Sequence, residues 1–124
     1  MNLRSNHGRN LRAQALRNDG GVPWTPPADA PGLIEPVCQA SRIRHEPGLL
    51  VFSNPAAKSR TQLTVRTRAA GAAPCRAVAL RHAGPSACSS LVSLDAKTLG
   101  CCYENGAKRP AERITFPRVE VSAR

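Results

Sequence analysis

Hydrophobic and polar residues alternate along much of this chain in short stretches. Alternation with a period of two is typical of strands that bury one face. It is clearest at 11–16 (LRAQAL) and 61–67 (TQLTVRT), whereas the continuous apolar run at 48–55 (GLLVFSNP) predicts a buried strand. Further strands are predicted at 39–45, 75–80, 89–94, 98–104 and 113–121.

Turn-forming residues separate the predicted strands. Asp19, Gly20 and Gly21 predict a tight turn, and the proline-rich segment 28–36 (ADAPGLIEP) predicts a connection rather than a strand. Many short strands at near-regular spacing, with little helical pattern, predict an all-β chain built as a sandwich, barrel or propeller.

Composition limits the core that these strands can form. The chain has 124 residues, of which 41% are hydrophobic, so we expect one small domain with a modest core. Only 3% are aromatic, although aromatic side chains normally supply much of the burial in a small core. The composition therefore leaves open whether the chain folds on its own.

The charge is strongly positive, at +10, and arises mainly from arginine. A basic surface binds nucleic acid by releasing counterions from phosphates. Here the arginines are spread along the chain, and few aromatic residues lie among them to stack on bases. Nucleic-acid binding is therefore the weaker alternative, with a basic patch as its expected footprint.

Neither a membrane span nor a secretory signal is visible in the sequence. Met1 is followed by polar residues, and no apolar run approaches the ~18 residues that cross a bilayer. We expect no membrane span, and the compartment stays open.

The five cysteines are Cys38, Cys75, Cys88, Cys101 and Cys102. An odd number with one adjacent pair excludes a complete disulfide framework. No CxxC motif occurs, and the three histidines fall at no spacing typical of zinc ligands, so we expect neither a metal nor another cofactor. Buried or incidental thiols are the simplest interpretation. Cys88, within GPSACSSL, could still be a nucleophile, a disulfide partner, a metal ligand or a replacement for another residue.

A short motif points to a propeller. Residues 17–24 (RNDGGVPW) resemble an Asp-box, the hairpin motif S-x-D-x-G-x-T-W, with Asp19, Gly21 and Trp24 retained. Residues 68–75 (RAAGAAPC) resemble a degraded second copy, in which Ala70 replaces the aspartate and Cys75 the tryptophan. Such repeats are typical of propeller blades.

An ordered set of segments extends the resemblance over nearly the whole chain. In order and spacing it resembles the C-terminal part of exo-α-sialidases (neuraminidases), which remove terminal sialic acid from glycoconjugates. The resemblance implies an all-β partial β-propeller, about the last two to three four-stranded antiparallel blades of a six-bladed ring, over residues 1–124. The segments are IEPVCQAS, LLVFSNPAAKSRTQLTVR, GPSACSSLVSL, LGCCYENG and ERITFPRV.

The sialidase resemblance assigns roles to four residues. Three arginines of the family bind the substrate carboxylate, because a guanidinium fork matches a carboxylate. Arg4 stands at the position of the second arginine and Arg60 at that of the third. The family nucleophile is a tyrosine, and its position is occupied here by Cys88. Glu104, in CCYE, stands where a glutamate orients the first arginine.

The same resemblance predicts an inactive site. The family's first arginine, its aspartate acid and its glutamate base belong before position 1, so the missing N-terminal half of the propeller is the implied protein partner. A cysteine is also too short to replace the tyrosine. We therefore expect a sialidase-family fragment that is inactive as it stands, with sialylated glycoconjugates as the family's ligands. The alternatives are a residual module that binds sialic acid through its carboxylate and, less favoured, a basic nucleic-acid-binding protein.

Overall fold

The computed structural model describes residues 1–17, 19–20, 23–45, 48–69 and 76–121, and every regular element in these ranges is a β-strand. The all-β prediction is confirmed. The strands are β1 (Asn2–Leu3), β2 (Leu11–Gln14), β3 (Ala28–Ile34), β4 (Ser41–His45), β5 (Leu49–Pro55), β6 (Thr61–Ala69), β7 (Arg76–Ser93), β8 (Thr98–Asn105), β9 (Arg113–Thr115) and β10 (Arg118–Glu120).

The strands form two antiparallel sheets. The smaller sheet has three strands in the order β1-β2-β3. The larger has seven strands, in the order β10-β8-β7-β6-β5-β4, with β9 also paired to β8. Within it, β4 to β7 are consecutive neighbours, which is the meander that builds a propeller blade.

Strand β3 corrects a sequence prediction, because 28–36 was expected to be a connection. Ala28 to Ala30 instead pair with β2, and the register then shifts so that Leu11 faces Ile34. Pro31 lies within this irregularity, on the edge strand of its sheet. Proline is tolerated at such a position because its missing N–H interrupts no regular ladder.

Strand β7 corrects a second prediction. The segments 75–80 and 89–94 were expected to be separate strands, but most of both lies in one strand of 18 residues. It pairs with β6 as far as Pro85 and with β8 from Ser86 onward. The turn-like residues between the two segments therefore mark a change of partner strand rather than a loop.

The core is aliphatic and lies against the larger sheet. Burial raises the pKa of the Cys101 thiol within it to about 11. Tyr103 is the one aromatic member of the cluster among the described residues. Its members are Leu49, Val51, Leu63, Val65, Leu91, Leu99, Cys101, Tyr103, Val119 and Val121.

Strand β5 is buried on both faces, which confirms the prediction from its continuous apolar run. Val51 packs in the core, and Ser53 Oγ lies 2.8 Å from Ser89 Oγ. On the other face, the guanidinium of Arg12 lies 5.6 Å from the centre of the Phe52 ring. Strand β5 thus joins the smaller sheet to the larger one.

Candidate functional site

The exchange of partner strands along β7 brings two loops to one point. Pro85 faces Thr61 of β6, and the next residue, Ser86, faces Asn105 of β8. The Ser86 N–H donates to the Arg60 carbonyl at 2.7 Å, and the Gly106 N–H donates to the Pro85 carbonyl at 3.1 Å. The loop before β6 and the loop after β8 therefore meet just before Cys88.

Cys88 and Glu104 are in direct contact at this point. The Cys88 N–H donates to Glu104 Oε2 at 3.0 Å, which joins β7 to β8 outside the regular ladder. Both side chains are half-buried. The structure thus brings together two of the four residues that the sequence predicted for the site.

A cleft of about 210 Å³ opens beside this contact. Glu104 carries the one carboxyl group among the residues that line it. The residues that line the cleft include Cys88, Glu104, Gln39, Ser90, Cys102 and Ile114.

The chain's one tyrosine, Tyr103, also lines this cleft, but its hydroxyl has a partner elsewhere. Tyr103 is 6% exposed, and its hydroxyl donates to the Arg81 carbonyl at 3.4 Å. Burial raises the pKa of this phenol, with a smaller contribution from the neighbouring Cys101. Tyr103 is therefore a core residue.

The thiols of Cys88 and Cys38, here called the thiol pair, lie near each other although the two residues are far apart in the sequence. Cys38 is 2% exposed, and its pKa is raised to about 11, mainly by burial and then by the nearby Cys88. The positive charge of Arg60 acts against this rise. Arg60 therefore lies close to the thiol pair.

Arg4 and Arg60 are both exposed, and neither lines the cleft itself. Arg60 is held at the exchange point by its carbonyl, as described above. Arg4 lies near Arg12, whose pKa is lowered by burial first, with the charge of Arg4 as a smaller contribution. The charge of Arg4 thus acts on Arg12 and that of Arg60 on Cys38, and the structure places neither predicted carboxylate ligand among the residues that line the cleft.

A buried ion pair holds the backbone of Cys38, and no sequence motif predicted it. Arg12 is 4% exposed and Glu35 is fully buried, and Arg12 Nη1 lies 2.8 Å from Glu35 Oε2. The backbone of Cys38 binds both: its N–H donates to Glu35 Oε2 at 3.3 Å, and its carbonyl accepts from Arg12 Nη1 at 3.0 Å. The available sequence signal was that Glu35 is the one charge within 30–41.

Two further hydrogen bonds hold this ion pair. Glu35 Oε1 accepts the Ser5 N–H at 2.8 Å, and Arg12 Nε donates to Asn2 Oδ1. A buried ion pair needs such additional hydrogen bonds to compensate for the water that it loses. The first strand, the end of β3 and Cys38 are consequently held around one pair of charges.

The predicted Asp-box lies in the hairpin between β2 and β3. The Thr25 N–H donates to the Leu16 carbonyl at 2.8 Å, which closes the hairpin. The Arg17 guanidinium lies 4.7 Å from the centre of the Trp24 ring, and Asp19 is exposed. Gly21 lies outside the described residues, so the motif stays a prediction. The same holds for the degraded copy, of which 70–75 are not described.

The described parts of the chain contain neither a metal-binding cluster nor a membrane-spanning helix. No group of three or more His, Cys, Asp or Glu side chains there is arranged to hold a metal ion. No helix long and apolar enough to cross a membrane occurs in those parts either.

Comparison with known proteins identifies the fold. No protein-family model matches the chain. Among solved structures, a Hadza microbial sialidase matches 97% of the chain with a TM-score of 0.74 and 30% sequence identity. The chain is similar to part of a sialidase. The intramolecular trans-sialidase from Ruminococcus gnavus, solved with oseltamivir carboxylate, matches 92% with a TM-score of 0.71; at 17% identity it supports the fold alone.

This sialidase-like chain spans about a quarter of each structure that it matches, at 24% and 29% of their lengths. Its antiparallel strands therefore form a partial propeller, as the sequence resemblance predicted. The roles that the resemblance assigns to Arg4, Arg60, Cys88 and Glu104 remain predictions.

Proposed function

We propose that this sialidase-like chain carries a sialidase-type site that does not hydrolyse sialosides as it stands. The observation that supports this proposal is the cleft between β7 and β8. Its candidate nucleophile is Cys88, and the one carboxylate among its lining residues, Glu104, already accepts the Cys88 N–H. Glu104 therefore already has a hydrogen-bond partner, and a cysteine stands where the sialidase motif places its tyrosine nucleophile.

The chemistry explains why cysteine does not replace tyrosine here. A nucleophile must approach the reacting carbon to ~3–3.5 Å, and a cysteine side chain is shorter than a tyrosine by most of a ring. A neighbouring base must also accept the proton of the nucleophile. Cys88 instead lies near the Cys38 thiol, whose pKa burial raises to about 11, so that this neighbour is itself a protonated thiol at neutral pH and not a base.

A fluorogenic sialoside tests the proposal. The purified chain and its Cys88→Tyr variant should release no 4-methylumbelliferone from 4-methylumbelliferyl sialoside above the blank, because no residue of this sequence matches the sialidase motifs for the aspartate acid and the glutamate base. Steady release by the wild-type chain that disappears in Cys88→Ala but persists in Cys102→Ala would overturn the proposal. Cys102 is the matched control, since it lines the same cleft.

A second candidate function is residual recognition of sialic acid through its carboxylate. The observation that favours it is the position of Arg60, which is exposed, binds the Ser86 N–H through its carbonyl and acts on the pKa of Cys38. A guanidinium stays charged at any working pH and offers two parallel donors to a carboxylate. Arg4, which is also exposed, is the second candidate donor.

Calorimetric titration with N-acetylneuraminic acid tests this second function. We expect weak binding that Arg60→Ala reduces about tenfold, since a hydrogen bond to a charged group contributes about 1.5–3 kcal/mol. Arg44→Ala is the control: it removes the same charge from an exposed position on edge strand β4 and should leave the affinity unchanged. Equal losses of affinity in the two variants would mean that binding depends on net charge alone, and would exclude a site at Arg60.

A further inference from the structure

Two pairs of arginines that are distant in the sequence lie on one face of the larger sheet. The strand register forms two rows across β4, β5 and β6, and each row has an arginine at both ends. Residues directly opposite one another in an antiparallel sheet point to the same side, which here is the side away from the core residue Val51. This surface is here called the arginine face. Its rows are Arg42, Phe52 and Arg66, and, two residues along, Arg44, Leu50 and Arg68.

Three of the four arginines can offer donors to a ligand. Arg42 and Arg44 are exposed on the edge strand β4. Arg68 is half-buried, and its Nε atom is buried without a hydrogen-bond partner in the described part of the chain. No described carboxylate forms an ion pair with any of the three. A guanidinium that has lost part of its water attracts an anion more strongly than one in bulk solvent, which favours a ligand at Arg68.

The fourth arginine and the aromatic ring of this face are already occupied. Arg66 Nη1 donates to Asn54 Oδ1 at 2.8 Å, and Phe52 is 6% exposed beneath the Arg12 guanidinium. Proteins that bind single-stranded nucleic acid stack bases on aromatic side chains, and the major groove of a duplex, about 12 Å wide, admits a helix or a two-stranded ribbon. A surface three strands wide without an exposed ring fits neither ligand.

We propose that the arginine face binds a linear polysaccharide that carries one carboxylate on each sugar. A guanidinium offers a carboxylate two parallel N–H donors. By ordinary strand geometry, Arg42 and Arg44 lie about 6.8 Å apart along β4, and Arg68 lies about 9.5 Å from Arg44 across β5. One extended chain of acidic sugars can therefore contact three guanidinium groups. The net charge of +10 attracts such a polyanion and opposes a second copy of this chain as the occupant.

The number of contacts distinguishes this face from the candidate sialic-acid site. A single sugar with one carboxylate forms one exposed ion pair here, which contributes little. A polymer joins several such contacts, and each further contact forms within a complex that already exists. Monomeric N-acetylneuraminic acid is therefore not expected to bind this face, and Arg44→Ala leaves the affinity for that monomer unchanged.

Calorimetric titration with an oligomer of galacturonic acid tests the proposal without any variant. Each sugar of this oligomer carries one carboxylate, and none is a sialic acid. We expect the oligomer to bind with an affinity that falls as salt is added, and we expect its methyl ester, which is neutral, not to bind. The proposal is overturned if the oligomer does not bind, if the ester binds equally well, or if a short DNA duplex binds more tightly.

Two double variants locate the binding site. Arg42→Ala/Arg44→Ala should weaken binding of the oligomer about tenfold, as expected when two exposed ion pairs are lost together. Arg113→Ala/Arg118→Ala is the matched control, because it also removes two exposed arginines from short strands, here β9 and β10, and it should leave the affinity unchanged. If both double variants bind equally weakly, net charge alone attracts the oligomer and the proposal is wrong. None of these outcomes depends on whether the chain binds or hydrolyses sialosides, so this proposal and the proposed function fail separately.

Discussion

Replacing Glu35 by glutamine is expected to lower the free energy of unfolding by about 3–5 kcal/mol, because it leaves the buried Arg12 charge without its partner. Glutamine keeps the size of the side chain, so the loss measures charge rather than packing. The guanidinium is 4% exposed and has no water to replace the carboxylate. Urea unfolding followed by circular dichroism measures the change.

The Asp29→Asn variant is the matched control. Asp29 Oδ2 lies 2.7 Å from Arg9 Nε, in the same type of pair, but on the surface. Exposed pairs contribute little, so this variant should unfold almost like the wild type.

If Glu35→Gln does not fold, the double variant Arg12→Met/Glu35→Leu tests the same dependence. Replacing both charges by apolar groups removes the unpaired charge and should recover most of the lost stability. A Glu35→Gln variant as stable as Asp29→Asn would show that the Arg12 charge is not dependent on Glu35.

Most strands were predictable from the sequence because each has its own local pattern. The alternation at 61–67 and the continuous apolar run at 48–55 correspond to β6 and β5. Strand β3 was missed because Pro31 and the prolines on either side of the strand suppress the local signal, although the register with β2 tolerates Pro31. Strand β7 was predicted as two strands because Gly84 and Pro85 resemble a turn. Its pairing with β6 and then β8 shows that one strand continues through these residues.

The site was predictable only as far as its motifs extend. The resemblance of GPSACSSL and CCYE to sialidase segments indicated Cys88 and Glu104, and the structure brings these two into contact. Neither the proximity of Cys38 and Cys88 nor the pairing of Arg12 with Glu35 could be predicted, because no sequence spacing connects them. Both depend on how the smaller sheet packs against β5, which is a property of the folded chain.

The scarcity of aromatic residues has a consequence for stability. The core cluster is mainly aliphatic, so each of its larger side chains supplies a substantial share of the total burial. Natural domains are stabilised by only about 5–15 kcal/mol. A single large truncation in this core is therefore expected to remove much of the stability of the chain.

Leu63→Ala is the most direct test of this dependence, with an expected loss of about 2–5 kcal/mol in the free energy of unfolding. Leu63 is fully buried on β6, the strand between β5 and β7, so its loss leaves a cavity that neighbours in two other strands would have to move to fill. Urea unfolding measures the loss. A loss below ~1 kcal/mol would mean that the core around Leu63 is loosely packed, although this side chain is completely buried.

Ile114→Ala is the matched control for Leu63→Ala. Ile114 is a similar aliphatic side chain on β9, but it is 73% exposed, so its truncation removes little burial and should leave the free energy of unfolding almost unchanged. A loss equal to that of Leu63→Ala would mean that the face of β9 is covered in solution. Repeating the measurement at several protein concentrations would then identify the cover, since a second copy of the chain makes the loss concentration-dependent and an intramolecular contact does not.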